Sequence, residues 1–180
     1  MNYEEIELRR EQKFQGKIIS VDVETVKLPN GQEATREVVR HNGAVSCLAV
    51  QNNKALFVKQ WREPAKAISV EIPAGKLDSK VEEPLAAIQR ELNEETGYQA
   101  DNWQKIYEFY TSVGFSDEKM SFYYCDSLQK LTHKRSLDED EFLSVQWLSL
   151  KEAEALIENG DITDLKTIMA INYWKTLQVS

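Results

Sequence analysis

One well-marked helix sits in the middle of this chain, between two groups of strand-length apolar runs, and that order limits the folds open to it. Residues 82–96 open with acidic side chains and Pro84, which suits a first turn because its missing N–H would have no helical partner there. They stop at Gly97, which is free to take the left-handed conformation that ends many helices. On the N-terminal side, residues 43–50 and 55–60 are apolar runs joined by Gln51-Asn52-Asn53-Lys54, the pattern of a hairpin, and 69–73 is a further extended piece. Residues 15–40 alternate, with Ile19, Val21 and Val23 on one face and Ser20, Asp22 and Glu24 on the other. Pro29-Asn30-Gly31 turns that segment back, and its polar face is expected to point outward, into solvent or onto a pairing partner. On the C-terminal side, 103–110, 119–125 and 141–148 read as strands, and 151–159 and 163–176 as helices. Strands, a helix, strands and then helices exclude a regular βαβ alternation and point to an α+β domain with a mixed sheet.

Composition narrows the partners. A length of 180 residues suits one domain, or one domain with a small appendage. The 30 acidic residues outnumber the 22 basic ones, for a net charge of −8. That balance argues against nucleic acid or an anionic membrane as partner, since both require a basic footprint. The longest apolar run, Ala44 to Val50, is too short to span a bilayer, and the opening MNYEEIELRREQ carries no apolar stretch of the secretory kind. Cys47 and Cys125 fall inside apolar segments and read as buried thiols of a reducing compartment, so a cytoplasmic protein is expected. Two His residues without a Cys–His cluster argue against zinc. A bound metal would then need carboxylate ligands, which favours Mg²⁺, Mn²⁺ or Ca²⁺.

The chemistry concentrates in Arg90-Glu91-Leu92-Asn93-Glu94-Glu95-Thr96-Gly97. With about 100° of rotation per helical residue, Leu85, Ile88 and Leu92 form an apolar stripe, and Glu91, Glu94 and Glu95 form a patch beside it. Three adjacent carboxylates repel one another unless a cation sits among them. Two readings follow: a solvated acidic helix face, or a site for a hard divalent cation.

Upstream lies Glu71-Ile-Pro-Ala-Gly75, and then, after six residues, Glu82 and the helix. The whole resembles the Nudix box, the signature of hydrolases that cleave nucleoside diphosphates linked to another moiety. The box runs Gly, five residues, Glu, seven residues, Arg-Glu-apolar-x-Glu-Glu-x-Gly-apolar, so the first spacing here is longer by one. Arg36-Glu-Val-Val39, Gln60-Trp-Arg62, Ser112-Val-Gly-Phe-Ser-Asp-Glu118, Leu137-Asp-Glu-Asp-Glu-Phe142 and Gly160-Asp-Ile-Thr-Asp-Leu-Lys-Thr167 resemble the ADP-ribose pyrophosphatase branch. The resemblance implies a Nudix fold, with a mixed β-sheet sandwiched between α-helices. It also implies an N-terminal antiparallel β subdomain over 1–42 that helps form a homodimer, ahead of a hydrolase domain over 43–180.

The same resemblance implies roles. Glu91, Glu94, Glu95 and the Ala74 carbonyl would hold Mg²⁺ or Mn²⁺, and Gly75 would let the chain pass close to the phosphates. Arg90 would pair with a box carboxylate such as Glu82, giving both an orienting role. The proton-accepting carboxylate would be Glu94 or Glu95, or come from the acidic run as Glu139 or Glu141; that run is otherwise an ordinary solvated charge cluster. Arg36 and Arg62 match positions used for adenine or phosphates, the other reading being ion pairs such as Arg62 with Glu63 or Glu71. Glu118 matches a position near the terminal ribose. Trp61, Tyr98 and Phe115 are either pocket walls or core, and Trp103, Trp147 and Trp174 are expected in the core. The implied reaction is metal-dependent hydrolysis of ADP-ribose to AMP and ribose 5-phosphate. The alternatives are a broader nucleoside diphosphate-sugar or dinucleotide pyrophosphatase, or a non-catalytic ADP-ribose sensor.

Overall fold

The computed structural model describes residues 2–133, 136 and 142–178. Three strands, β1 (Ile6–Gln15), β2 (Ile19–Lys27) and β3 (Glu33–His41), form an antiparallel sheet in the order β1-β2-β3. The main sheet follows, with β4 (Ala44–Gln51), β5 (Lys54–Arg62), β6 (Ala67–Glu71), β7 (Ala74–Lys76), β8 (Tyr98–Tyr110), β9 (Lys119–Lys130) and β10 (Leu143–Ser149). Its main path is β10-β5-β4-β9-β8, with β6 paired to β5 and β7 to β4. The β4–β9 pair is parallel and the others antiparallel, so the sheet is mixed.

The sheet forks. Strands β4 and β5 pair only beside their turn, through Val50↔Ala55 and Gln51↔Lys54. Beyond that point β5 takes β6 as its neighbour and β4 takes β7, so the Ile72-Pro73 connection crosses the fork. Helix α1 (Pro84–Thr96) packs on one face and helices α2 (Leu150–Glu158) and α3 (Leu165–Gln178) on the other. Strand β4 serves both faces: Val45, Cys47 and Ala49 join the cluster under α1, and Leu48 the cluster under α3. Burial on both sides explains why β4 reads as a continuous apolar run. Among the described residues no helix is long and apolar enough to cross a membrane.

Local chemistry sets the helix ends. Pro84 opens α1, and Gly97 closes it at φ 75° with its N–H on the Asn93 carbonyl at 2.8 Å. Leu85 is exposed, and Ala87 takes its expected place beside Ile88 and Leu92. Ser149 and Glu152 form a reciprocal capping box at the start of α2. Trp174 is in the core, whereas Trp103 and Trp147 are partly buried and packed against it. Trp61 and Phe115 are exposed. Cys47 and Cys125 are free and buried, and burial pushes the Cys47 thiol well up.

The N-terminal sheet corrects one expectation. The polar face of β2 points inward: Asp22 and Glu24 are 4% and 9% exposed, while Ile19 is 36% exposed. Arg40, from β3, reaches Asp22 at 3.2 Å and also pairs with Glu24, and Arg10, from β1, lies 3.1 Å from Glu24. Paired arginines on both flanking strands make an inward carboxylate face tolerable. Arg40 also pairs with Asp117 at 3.4 Å, and the His41 N–H donates to Asp117 at 2.8 Å. Asp117 thereby ties the 112–118 loop to β3.

Candidate active site

Helix α1 positions two carboxylates on its buried side. Residues Ile88, Glu91, Leu92 and Glu95 recur at helical spacing, so the stripe that packs on the sheet carries Glu91 and Glu95 with it. Both are buried, at 8% and 4% exposure, which departs from a solvated acidic face. The Glu95 carboxylate accepts the Ala74 N–H at 3.1 Å. Glu91 lies against Gly75, so closely that a methyl group there would fall 2.0 Å from the Glu91 carboxyl carbon. Helix α1 and strand β7, just past the fork, therefore bring Ala74, Gly75, Glu91 and Glu95 together.

Arg90 collects the remaining box carboxylates. Its Nη1 donates to Glu91 at 2.8 Å and Glu94 at 3.1 Å, and its Nη2 reaches Glu82 at 3.4 Å. Burial works against the charged guanidinium, but Glu91, Glu94 and Asp78 outweigh it and hold the Arg90 pKa above its ordinary range. Glu82 accepts the Asp78 N–H at 2.6 Å. The longer Gly75–Glu82 spacing is pinned to the fold by the Leu77 N–H on the Gly43 carbonyl at 2.9 Å and by the Asn42 amide on the Asp78 carbonyl at 3.1 Å.

Among the described residues no three His, Cys, Asp or Glu side chains converge closely enough to hold a metal ion as they stand. The donor set nevertheless suits a hard cation. Glu91 and Glu95 are carboxylates kept in a buried place beside strand β7, and Gly75 there leaves the space that Glu91 uses.

Arg62 binds Glu71 through both nitrogens of its fork, Nε at 2.7 Å and Nη2 at 2.8 Å. Lys166 reaches the same carboxylate at 2.5 Å. Burial pushes the Glu71 pKa up, but Arg62 and Lys166 outweigh it and hold it at about 2, against an ordinary value of 4.5. A lowered carboxylate pKa stabilises the fold above the ordinary value, and that stabilisation is lost as pH falls through the lowered one. Glu71→Gln is therefore expected to flatten the acid limb of the stability curve. Between pH 5 and 2 the parent should lose about 3 kcal/mol more than the variant, checked by urea unfolding across that range.

The other expected site residues each have partners of their own. Arg36 is held by Glu5 at 2.9 and 2.5 Å on the N-terminal sheet. Glu118 accepts the Thr111 hydroxyl at 2.5 Å, and its other oxygen lies 3.7 Å from the His41 Nδ1. That nitrogen accepts the Gly43 N–H at 3.0 Å. Tyr98 meets Trp147 edge to face at 5.6 Å. Glu139 and Glu141 lie outside the described residues. Sequence pattern alone assigns no role to Asp164, Lys166 or Thr167, which join Glu71 and the Ile72 amide. Their available signal was the Asp-Leu-Lys-Thr pattern, an Asp N-cap three residues ahead of a Thr.

Comparison with known proteins agrees with this architecture. A NUDIX domain model matches residues 40–170, and a nucleoside diphosphate sugar hydrolase N-terminal domain model matches residues 7–39. An ADP-ribose pyrophosphatase of Bacillus subtilis (strain 168) is 48% identical over 94% of this chain and 92% of its own length. A methanol dehydrogenase activator of Bacillus methanolicus is 44% identical over 95% of this chain and 92% of its own length. A GDP-mannose pyrophosphatase of Yersinia pestis (strain Pestoides F) is 35% identical over 84% of this chain and 80% of its own length. The crystal structure of an ADP compounds hydrolase superposes with a TM-score of 0.86 at 18% identity, covering 99% of this chain and 98% of the other, which establishes a shared fold. The helix of box carboxylates, the loop it grips and these matches over nearly the full length give one conclusion: the chain belongs to the NUDIX family.

Proposed function

We propose that this chain hydrolyses ADP-ribose to AMP and ribose 5-phosphate with Mg²⁺ or Mn²⁺ as cofactor. The observation that carries the reaction class is the pair Glu91 and Glu95, buried against Ala74 and Gly75 of β7. The substrate follows from the name of the relative that is 48% identical. Ala74 through its carbonyl, Glu91, Glu94 and Glu95 would hold the cation, which when bound offsets phosphate charge and polarises a water. A carboxylate, Glu94 or Glu95 of the helix or Glu139 or Glu141 of the acidic run, accepts the proton of the attacking water. The water oxygen bonds to phosphorus as the bridging oxygen leaves. Arg90 and Glu82 orient the carboxylates. Arg36, Arg62, Gly75 and Glu118 contact the substrate. A protein of net charge −8 attracts an anionic diphosphate poorly, so a cation between them is a physical requirement as well as a chemical one.

The test is chromatography of products from ADP-ribose, ADP-glucose, a GDP-sugar and a diadenosine compound, run in H₂¹⁸O with and without chelator. AMP and ribose 5-phosphate from ADP-ribose, at the highest kcat/KM of the panel and with no turnover in chelator, is the expected outcome. Full turnover in excess chelator would overturn the metal assignment. The GDP-mannose pyrophosphatase relative favours a second reading, a broader nucleoside diphosphate-sugar pyrophosphatase, and comparable kcat/KM across the panel would select it. A sensor without catalysis fits less well, because Glu82, Glu91, Glu94 and Glu95 are all in place.

Residues 1–42 act as a dimerisation unit ahead of the hydrolase domain at 43–180. By register Ile6, Phe14 and Ile19 share the face of the N-terminal sheet opposite Asp22 and Glu24, and they are 59%, 53% and 36% exposed. Exposed apolar side chains interspersed with charged ones such as Glu11, Lys27 and Glu37 suit a second copy of the chain. Light scattering should give twice the 20.8 kDa chain mass, and Phe14→Glu with Ile19→Glu should halve it. A monomer at assay concentration would rule the dimer out. The two free, buried cysteines fit a cytoplasmic protein, and the net charge of −8 fits one with neither nucleic acid nor an anionic membrane as partner.

A further inference from the structure

The loop that crosses the fork is held from three sides. The Pro73 carbonyl accepts the Cys47 N–H at 2.9 Å, and the Ala74 N–H goes to Glu95 at 3.1 Å. The third hold comes from α3: the Ile72 N–H donates to the Thr167 hydroxyl at 3.0 Å. The β5–β6 ladder ends at Glu71, so the Ile72 amide is the first beyond its reach. Thr167 is fully buried, and its hydroxyl proton is committed to Asp164 at 2.6 Å. That donation leaves the oxygen free to accept from Ile72, and a donor chain ending on a carboxylate is strengthened along its length. Asp164 also caps α3 through the Thr167 N–H at 3.1 Å and takes Lys166 at 3.0 Å, and Lys166 continues to Glu71 at 2.5 Å.

We infer that Thr167 and Asp164 are positioning residues for the cation site, fixing the Ile72–Ala74 backbone, and with it the Ala74 carbonyl, relative to Glu91 and Glu95. This rests on the reading of Ala74 as a metal ligand. Two of the loop's holds come from β4 and from Glu95, and Glu95 is itself a proposed ligand whose carboxylate must also serve the ion. Thr167 supplies a hold from the opposite layer that depends on neither α1 nor the metal. It also gives a purpose to the Asp164-Leu-Lys-Thr167 motif, which the hydrolytic reading leaves without one.

The test is Mn²⁺ binding, read from the electron paramagnetic resonance of the free aquo ion in titrations of the full chain. Thr167→Val removes the hydroxyl at constant volume and should weaken Mn²⁺ binding about tenfold, the scale seen when an outer partner of a metal ligand is lost. Thr167→Ser should restore binding to within about twofold of the parent, since it keeps the hydroxyl. Ile171→Val, which trims the core of the same helix, should lower Tm and leave Mn²⁺ affinity unchanged. Asp164→Asn, which keeps an acceptor at the cap but removes its charge, should weaken binding in the same direction and serves where Thr167→Val does not fold. Parent-like affinity in Thr167→Val, or in Asp164→Asn when it is the variant that folds, overturns the inference. So does an equal loss in Ile171→Val. A parent protein that binds no Mn²⁺ instead removes the metal reading of Ala74, and this inference with it.

Discussion

Glu95→Gln is expected to lower kcat by about 10² or more while leaving the protein folded, the low end of what loss of proton-transfer or charge assistance costs. The geometry separates the two effects. The Gln amide oxygen can still accept the Ala74 N–H that Glu95 accepts at 3.1 Å, so the grip on the fork loop survives. What disappears is one negative charge and one proton acceptor. Glu95 is 4% exposed, and holding a carboxylate there works against desolvation, so the neutral variant should melt at the parent's Tm or above it. Glu94→Gln should give a kcat loss of similar size, since Glu94 shares Arg90 Nη1 with Glu91 and contributes to the same negative field. Steady-state kinetics on ADP-ribose with saturating Mg²⁺, beside calorimetric Tm values, reads both outcomes. A near-parent kcat in either variant counts against the assignment of the helix as the catalytic element.

Much of the fold was legible because its signals are local. Pro84 and Gly97 punctuate α1, and the Gln51–Lys54 turn separates two apolar runs, so neither element needs knowledge of its neighbours. Strand β1 was not legible. Ile6-Glu-Leu-Arg-Arg-Glu-Gln-Lys-Phe-Gln15 is exposed along its length and has no buried face to impose a period. It pairs through backbone bonds to β2, and two register shifts, near Leu8 and Lys13, blur its alternation further. The inward face of β2 was read in reverse for a related reason. Alternation reports two faces, but which one is buried depended on Arg10 and Arg40 arriving from other strands.

The site divides along the same line. The box residues are close in sequence, so one helix and one strand bring Ala74, Gly75, Glu91 and Glu95 together. Burial of Glu91 and Glu95 was not legible, since helical spacing places them beside the apolar stripe without saying that the sheet would cover both. Thr167 meets Ile72 across 95 residues, and the sequence marks only its place near a helix start. Arg62 illustrates a residue for which both readings stay physically coherent. Its fork is committed to Glu71, whose hydrogen bonds hold its pKa above the ordinary value against burial, and it also lies within the field of Glu95 and Asp164.

Gly75→Ala is expected to cost about 10² or more in kcat/KM, with a marked loss of metal affinity. The cause is space rather than backbone freedom, because Gly75 is not in the left-handed region. An added Cβ would stand 2.0 Å from Cδ of Glu91, 2.2 Å from Oε1 and 2.4 Å from Cγ. A solvated glutamate would swing aside at little cost. Glu91 is 8% exposed and tied to Arg90 at 2.8 Å, so it cannot move without breaking that pair. The alternative is that the chain at Gly75 lifts, which disturbs its pairing with Val45 and the Pro73–Cys47 hydrogen bond. Either route displaces the Glu91 carboxylate relative to the Ala74–Gly75 backbone, and a displacement of about 1 Å at such a site is enough for a 10²-fold loss. The metal-activation curve should move to higher Mg²⁺ by more than the substrate KM moves, while near-ultraviolet circular dichroism keeps the parent shape. If Gly75→Ala instead retains parent kcat/KM at an unchanged Mg²⁺ requirement, the Glu91 carboxylate does not need its place against that loop. The cation would then have to be held elsewhere, and the role assigned to helix α1 would fall.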